Sequence, residues 1–198
     1  MEDGRLIRDE ESREDVEVLV IADRSGSMHS IVDDAVGGFN SFLQDQREIP
    51  GKAFLTLVIF DDQIEVVCES TPILEMKDIT RETIKPRNKT ALLDAIGISI
   101  GNTLPRVKNS KVIAVIITDG RENASSLYDY EAIKKMITKC RESGWEFLFL
   151  GANIDSFTVG ASMGIAKGSS VDYEPTSRGI TAAYSNVSDT VSQFRSGG

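Results

Sequence analysis

The chain settles into a regular hydrophobic pattern at Val16. Val16-Glu-Val-Leu-Val-Ile-Ala22 is short, nearly continuously apolar and rich in β-branched residues, which predicts a strand covered on both faces. Behind it Met28, Ile31, Val32, Ala35, Val36, Phe39, Phe42 and Leu43 recur at steps of three and four, the stripe of an amphipathic helix. Ala53–Phe60 and Glu65–Cys68 read as two strands joined through Asp61-Asp62-Gln63, a link short enough for a hairpin and too short for a crossover. Thr90 opens a second helical stripe that runs through Leu104 and is closed by Pro105, and Lys111–Thr118 is another buried strand. A helix over Asp129–Glu142 with Gly144 as its left-handed cap, a strand Glu146–Leu150, a short helix over Asp155–Met163, a weak strand over Ser169–Asp172 and a helix Thr176–Phe194 complete the pattern.

Strand and helix in alternation predict an α/β fold of the doubly wound, Rossmann-like kind: a mainly parallel central sheet, one antiparallel edge strand from the hairpin, and helices on both faces. Residues 1–15 have no apolar periodicity and read as a flexible acidic arm, residues 16–195 as a single domain, and residues 196–198 as a frayed tail. There is no internal repeat.

Composition narrows the class. The chain has 198 residues, 22 Lys plus Arg against 31 Asp plus Glu, and a formal net charge of −9. That length supports one core without staples. The acidity argues against nucleic acid or an anionic membrane as the main partner, since both are gripped by Lys and Arg in excess. Residues 1–17 hold eight of the acids and three arginines, so much of the negative charge lies in or beside the arm. Cys68 and Cys140 are too few for a disulfide framework and read as buried thiols. The charged N-terminus lacks the apolar stretch of a signal peptide and no run approaches the ~18 residues of a membrane span, so the expected location is the cytoplasm.

In open α/β sheets ligands bind at the carboxyl ends of the strands. After the first strand comes Asp23-Arg-Ser25-Gly-Ser27; after the fourth comes Asp119-Gly120-Arg-Glu-Asn; between them stands Thr90. Residues two apart in a loop turning from strand to helix can aim short side chains into one concavity, with Gly26 allowing the bend. Two carboxylates and three hydroxyls make an oxygen-only, hard donor set, which suits Mg²⁺, or Mn²⁺, far better than Zn²⁺.

Asp23-x-Ser25-x-Ser27 after a buried strand, a threonine opening a central helix, and Asp119-Gly120 after a later buried strand resemble the metal-ion-dependent adhesion site of the von Willebrand factor type A family. The resemblance covers roughly Asp15 to Asp172, and the run Thr90-Ala-Leu-Leu-Asp-Ala-Ile-Gly97 is similar to compact stand-alone intracellular members from bacteria and their viruses. It implies a metal held directly by Ser25, Ser27 and Thr90, with Asp23 and Asp119 close by, often through water. It also implies a protein partner whose Asp or Glu completes the octahedron, binding rather than turnover as the output, and a last helix, Thr176–Phe194, that shifts with the metal loop.

Other readings of these residues exist. Ser25, Ser27 and Thr90 are good helix N-caps, Asp119-Gly120 can be a plain turn, and Asp61 and Asp62, which also follow a strand and could sit near the site, read rather as hairpin-turn residues. Gly160-Ala-Ser162-Met-Gly164 matches the nucleophile-elbow pattern of hydrolases, yet Ser162 does not leave a strand directly and the only histidine, His29, precedes it. A Mg²⁺-dependent phosphoryl hydrolase or transferase using Asp23 is the alternative enzyme. It lacks a carboxylate two residues on, where Ser25 stands, and has no phosphate-binding loop.

Overall fold

A computed structural model describes residues 14–87, 89–108 and 110–197. The rest of the expected acidic arm, residues 1–13, and the terminal Gly198 lie outside the described residues. The elements are β1 (Val16–Asp23), α1 (Val32–Arg47), β2 (Ala53–Phe60), β3 (Ile64–Pro72), α2 (Leu92–Thr103), β4 (Lys111–Thr118), α3 (Tyr130–Glu142), β5 (Glu146–Gly151), α4 (Ser156–Ser162), β6 (Ser170–Asp172) and α5 (Ser177–Ser196). The sheet order is β3-β2-β1-β4-β5-β6. Only the β2–β3 pair is antiparallel, so the mainly parallel α/β sheet with one antiparallel edge strand is as expected.

All eight residues of β1 are buried, because the strand lies centrally and is covered on both faces. Val16, Val18, Val20 and Ala22 point into one core with Phe39, Phe42 and Leu43 of α1 and Tyr184, Val187 and Val191 of α5. Leu19 and Ile21 point into the other, with Leu92, Ile96 and Ile100 of α2 and Ile133 and Ile137 of α3. The alternation follows from the period-two geometry of a strand. Cys68 packs against the first core and Cys140 belongs to the second, and both are free thiols. Glu17, beside the arm and within the predicted first strand, is buried in β1, where it accepts hydrogen bonds from Thr56 Oγ1 (2.5 Å) and Ser70 Oγ (2.7 Å).

β1 and β4 are neighbours, but the helices that follow them pack on opposite faces: α1 on one, α3 on the other. Their carboxyl ends therefore diverge and open a crevice, the topological switch point of a doubly wound sheet. Three boundaries differ from the sequence expectation. The stripe from Met28 is broken into a 3₁₀ turn, Gly26–Ser30, and α1 proper, with Ile31 outside helical geometry at φ −123°. The second helix begins at Leu92, not at Thr90. At the other end the helix expected to stop at Phe194 continues to Ser196, and Gly197, at φ +76°, is its left-handed cap. No helix among the described residues is long and apolar enough to cross a membrane.

Candidate metal centre

β1 delivers Asp23 to the crevice and β4 delivers Asp119; their exposures are 2 % and 1 %, so both carboxylates are taken out of water. Asp23 is held at both oxygens. Its Oδ1 accepts the Ser25 backbone N–H at 2.6 Å, and its Oδ2 accepts the hydroxyl of Thr118 at 2.6 Å. Asp119 Oδ1 accepts from Ser27 Oγ at 2.6 Å and from Ser25 Oγ at 3.3 Å, and the two serine hydroxyls stand 3.0 Å apart. The second oxygen of Asp119, Oδ2, is buried and has no hydrogen-bond partner. A native fold rarely leaves a carboxylate oxygen in that condition unless something else meets it there.

Thr90 reaches the same place from another direction. A Cβ added to Gly120 would lie 3.0 Å from Thr90 Oγ1, 3.6 Å from Ser25 Oγ and 3.8 Å from Ser27 Oγ. The three hydroxyls thus surround the space that a glycine leaves open. All five residues expected from sequence, Asp23, Ser25, Ser27, Thr90 and Asp119, converge on this crevice.

Helix capping does not account for the hydroxyls. Ser25 precedes the 3₁₀ turn but makes no side-chain cap bond, and the N-cap position of α2 belongs to Ala91. The first amides of α2, which a helix leaves without internal partners, are met by other loops. Ala91 N donates to Asp61 O (2.7 Å), Leu93 N to Glu122 Oε2 (3.0 Å) and Asp94 N to Ser125 Oγ (3.0 Å), while Thr90 N donates to Asn123 Oδ1 (3.0 Å). With the capping done from the β4–α3 loop and the hairpin, the Thr90 hydroxyl is released toward Gly120.

Burial governs the electrostatics. It pushes the Asp23 carboxyl up to about 6, with the Asp119 charge adding to the rise and the Thr118 hydroxyl opposing it. Asp119 is likewise raised by burial, against the hydrogen bonds of Ser27 and Ser25. Tyr173, just past β6, has a buried hydroxyl without a partner and a phenol pushed well above its ordinary range, by burial first and then by the charge of Asp119. Two buried carboxylates resisting ionisation and an orphaned oxygen among hydroxyls form a cavity short of positive charge. Among the described residues no three His, Cys, Asp or Glu side chains cluster, so any cation here is held by mixed carboxylate and hydroxyl oxygens, a hard donor set.

Several residues that shape the crevice carry no obvious motif. Arg24, between Asp23 and Ser25, is buried and donates to Asp61 Oδ2 (3.2 Å) and Glu65 Oε2 (2.8 Å). Arg87 also donates to Asp61, and its backbone N–H donates to Arg24 O (2.9 Å). Asp61 is a hairpin-turn residue, as expected, since its Oδ1 accepts Gln63 N at 2.6 Å, but it is also the buried counter-ion of Arg24 in the loop that carries Ser25 and Ser27. Asp94 accepts three backbone N–H groups, from Ser126 (2.8 Å), Leu127 (2.9 Å) and Tyr128 (2.9 Å), and Glu122 folds the start of that loop through Ala124 N and Ser125 N (2.8 Å each). An aspartate inside an apolar helical stripe was the one signal that could have identified Asp94. Ser162 sits at the end of α4 with its hydroxyl donated to Val159 O (2.6 Å), and β5 ends at Gly151, so the elbow pattern has no strand behind it.

No family model matches the sequence, and no curated protein matches it. Solved structures do match. A zinc-occupied form of proximal thread matrix protein 1 from the mussel byssus, whose description names a MIDAS motif, aligns with a TM-score of 0.68 at 12 % identity over 91 % of this chain and 46 % of that one. The von Willebrand factor domain of the type V pilus tip protein Mfa5 from Porphyromonas gingivalis aligns at 0.66 and 10 % identity, over 90 % of this chain and 95 % of that one. The pilus adhesin SpaC from Lactobacillus rhamnosus GG aligns at 0.67 and 14 % identity, over 91 % and 30 %. The chain thus spans about half the mussel protein and nearly the whole of the Mfa5 domain. Sheet order, crevice and these alignments agree: the chain has the von Willebrand factor type A fold.

Proposed function

We propose that this domain is a divalent-cation-dependent protein-binding module, with Mg²⁺ as its metal and Mn²⁺ as a substitute. The observation that carries the reading is the buried, partnerless Oδ2 of Asp119 beside the hydroxyls of Ser25, Ser27 and Thr90. In this reading the three hydroxyls are direct ligands and Asp23 and Asp119 stand behind them, balancing the ion's charge. When bound, the ion supplies a Lewis-acid position able to take a carboxylate from outside. The protein's own residues set up that position. Thr118 and the Ser25 amide fix Asp23, Arg24 and Asp61 fix the loop that carries the serines, Asn123 fixes Thr90 beside Gly120, and Glu122 fixes the first turn of α2 through Leu93 N. The partner is a protein presenting an Asp or Glu. That the matched structures include a pilus adhesin and a thread matrix protein supports binding as the output.

The phosphoryl-transfer alternative needs Asp23 as a nucleophile. Both Asp23 oxygens are engaged, one by an amide and one by a hydroxyl, and Ser25 leaves no acid–base group two residues on.

The test is affinity capture from the native host with wild type in Mg²⁺, wild type in chelator, and Asp119→Ala in Mg²⁺. A set of partners present only in the first arm is expected. The same partners in all three arms would end the metal-bridged reading.

A further inference from the structure

Thr90 and Asn123 are paired twice, Thr90 N to Asn123 Oδ1 (3.0 Å) and Asn123 N to Thr90 O (3.0 Å), so the segments flanking the crevice run side by side. Each carries a cation next to a site residue: Lys89 precedes Thr90, and Arg121 follows Gly120. Both are exposed. Among the described residues neither forms an ion pair, whereas the other arginines at this edge are committed, Arg24 to Asp61 and Glu65, Arg87 to Asp61.

The acids that would neutralise Lys89 and Arg121 are committed too. Asp61 is buried between two arginines, Asp94 is filled by three amides, and both oxygens of Glu122 accept hydrogen bonds from the protein. Asp62, exposed on the hairpin, lies on the Arg87 side. With a dication balancing Asp23 and Asp119, Lys89 and Arg121 are the cations of this rim whose charge no ion pair among the described residues meets, although the chain's net charge is −9. Two unpaired cations beside a carboxylate-seeking position complement a ligand with more than one negative group. Their neighbours Thr90 and Asn123 are braced, so the ordering cost of engagement falls on the two side chains rather than on the backbone.

We propose that the partner segment carries at least two carboxylates, one for the metal position and a second for Lys89 and Arg121. This rests on the metal-bridged reading above. The probes are fluorescein-labelled hexaglutamate and an alanine-rich hexapeptide with a single glutamate, titrated by anisotropy at about 0.15 M salt in Mg²⁺ and in chelator. The proteins are wild type, Lys89→Gln/Arg121→Gln, and Asp119→Ala. Mg²⁺-induced thermal stabilisation without peptide is read in parallel and reports on the metal alone.

Wild type in Mg²⁺ should prefer hexaglutamate about tenfold. The double variant should lose about fivefold of that preference, consistent with two exposed ion pairs, while its thermal response to Mg²⁺ is unchanged and its affinity for the single-glutamate peptide stays within twofold. Hexaglutamate binding that needs Mg²⁺ but is the same in the double variant overturns the inference and leaves the metal-bridged reading standing. Absence of binding up to millimolar peptide in a protein that Mg²⁺ stabilises overturns it too. Binding indifferent to Mg²⁺ and to Asp119→Ala, with no thermal response to Mg²⁺, overturns both.

Discussion

Asp61→Asn tests the buried counter-ion that holds the Asp23–Ser27 loop. Asp61 is 0 % exposed and Arg24 is 5 % exposed, so Asp61 is the one fully buried anion facing the Arg24 guanidinium; the other partner, Glu65, has a side chain 59 % exposed. Removing one member of a buried pair leaves an uncompensated charge and costs about 3–5 kcal/mol. Asparagine keeps the shape and one acceptor for Gln63 N, and Arg87, with its side chain 41 % exposed, recovers most of its loss in water. The expected cost therefore falls at the lower end, about 3 kcal/mol, or roughly 6–12 °C in Tm for a domain of this size. Urea unfolding of the metal-free protein measures it. Adding Arg24→Met removes the stranded charge and should recover at least about 1 kcal/mol. A cost below about 1 kcal/mol, or strict additivity of the two changes, refutes the account of the loop.

The same pair has a pH signature. Burial alone would raise the Asp61 carboxyl, but hydrogen bonds from Arg87 and Gln63 N and the charges of Arg24 and Arg87 outweigh it, so its folded pKa lies below 3.8. A depressed carboxylate contributes stability that is fully present above the unfolded value and disappears as pH falls through the folded one. The gap between wild type and Asp61→Asn should thus be flat from neutral pH to about 5 and narrow below 3.8. Contributions from Asp23 and Asp119, which have the opposite sign, are common to both proteins and cancel in the difference.

Asp119→Asn should leave the metal-free domain as stable as wild type or up to about 1 kcal/mol more stable, because burial disfavours the charged carboxylate, yet abolish the rise in Tm on adding Mg²⁺; a variant still stabilised by Mg²⁺ would remove Asp119 from the site. Gly120→Ala puts a methyl 3.0 Å from Thr90 Oγ1, so metal affinity should fall about tenfold by calorimetry while stability changes by less than about 1 kcal/mol. Asp94→Ala frees the amides of Ser126, Leu127 and Tyr128 from a charged acceptor; about 2–4 kcal/mol of stability should be lost, and hydrogen exchange should quicken there rather than in β5.

The legible parts of this protein are those whose signal is local. β1 and β4 are uninterrupted apolar runs because both their faces are covered, and the five site residues stand out because their chemistry sits immediately past those runs or just before a helix. β3 was half legible: the sequence showed Glu65–Cys68, but the strand continues to Pro72, since an edge strand with one open side needs no apolar residues at Glu69, Ser70 and Thr71. Register shifts opposite Leu57 and a positive φ at Ser70 carry it past the irregularity. α2 starts two residues after Thr90 because its amides are capped by loops distant in sequence rather than by a local Ser or Thr. Arg24 looked like a spacer because its partner Asp61 is 37 residues away.

If the crevice holds a cation as proposed, metal affinity and fold stability are in tension there. A carboxyl pushed from 3.8 to about 6 corresponds to about 3 kcal/mol held against folding when the group is ionised and no cation is near. Asp119 adds to that burden, and neither group relaxes it by moving to water, because the strands that place them are central and covered on both faces. What sustains the arrangement is remote from it: two apolar cores and an α1–α5 contact so close that Gly38 has Tyr184 where a Cβ would stand, 2.6 Å away. A cation bound here gains whatever strain it relieves, since stabilising a site and occupying it are the same free energy. In the proposed metal-binding reading the rigidity of the sheet is therefore part of the affinity: a looser fold would let the carboxylates turn outward and hydrate, and would hold an ion less tightly for that reason.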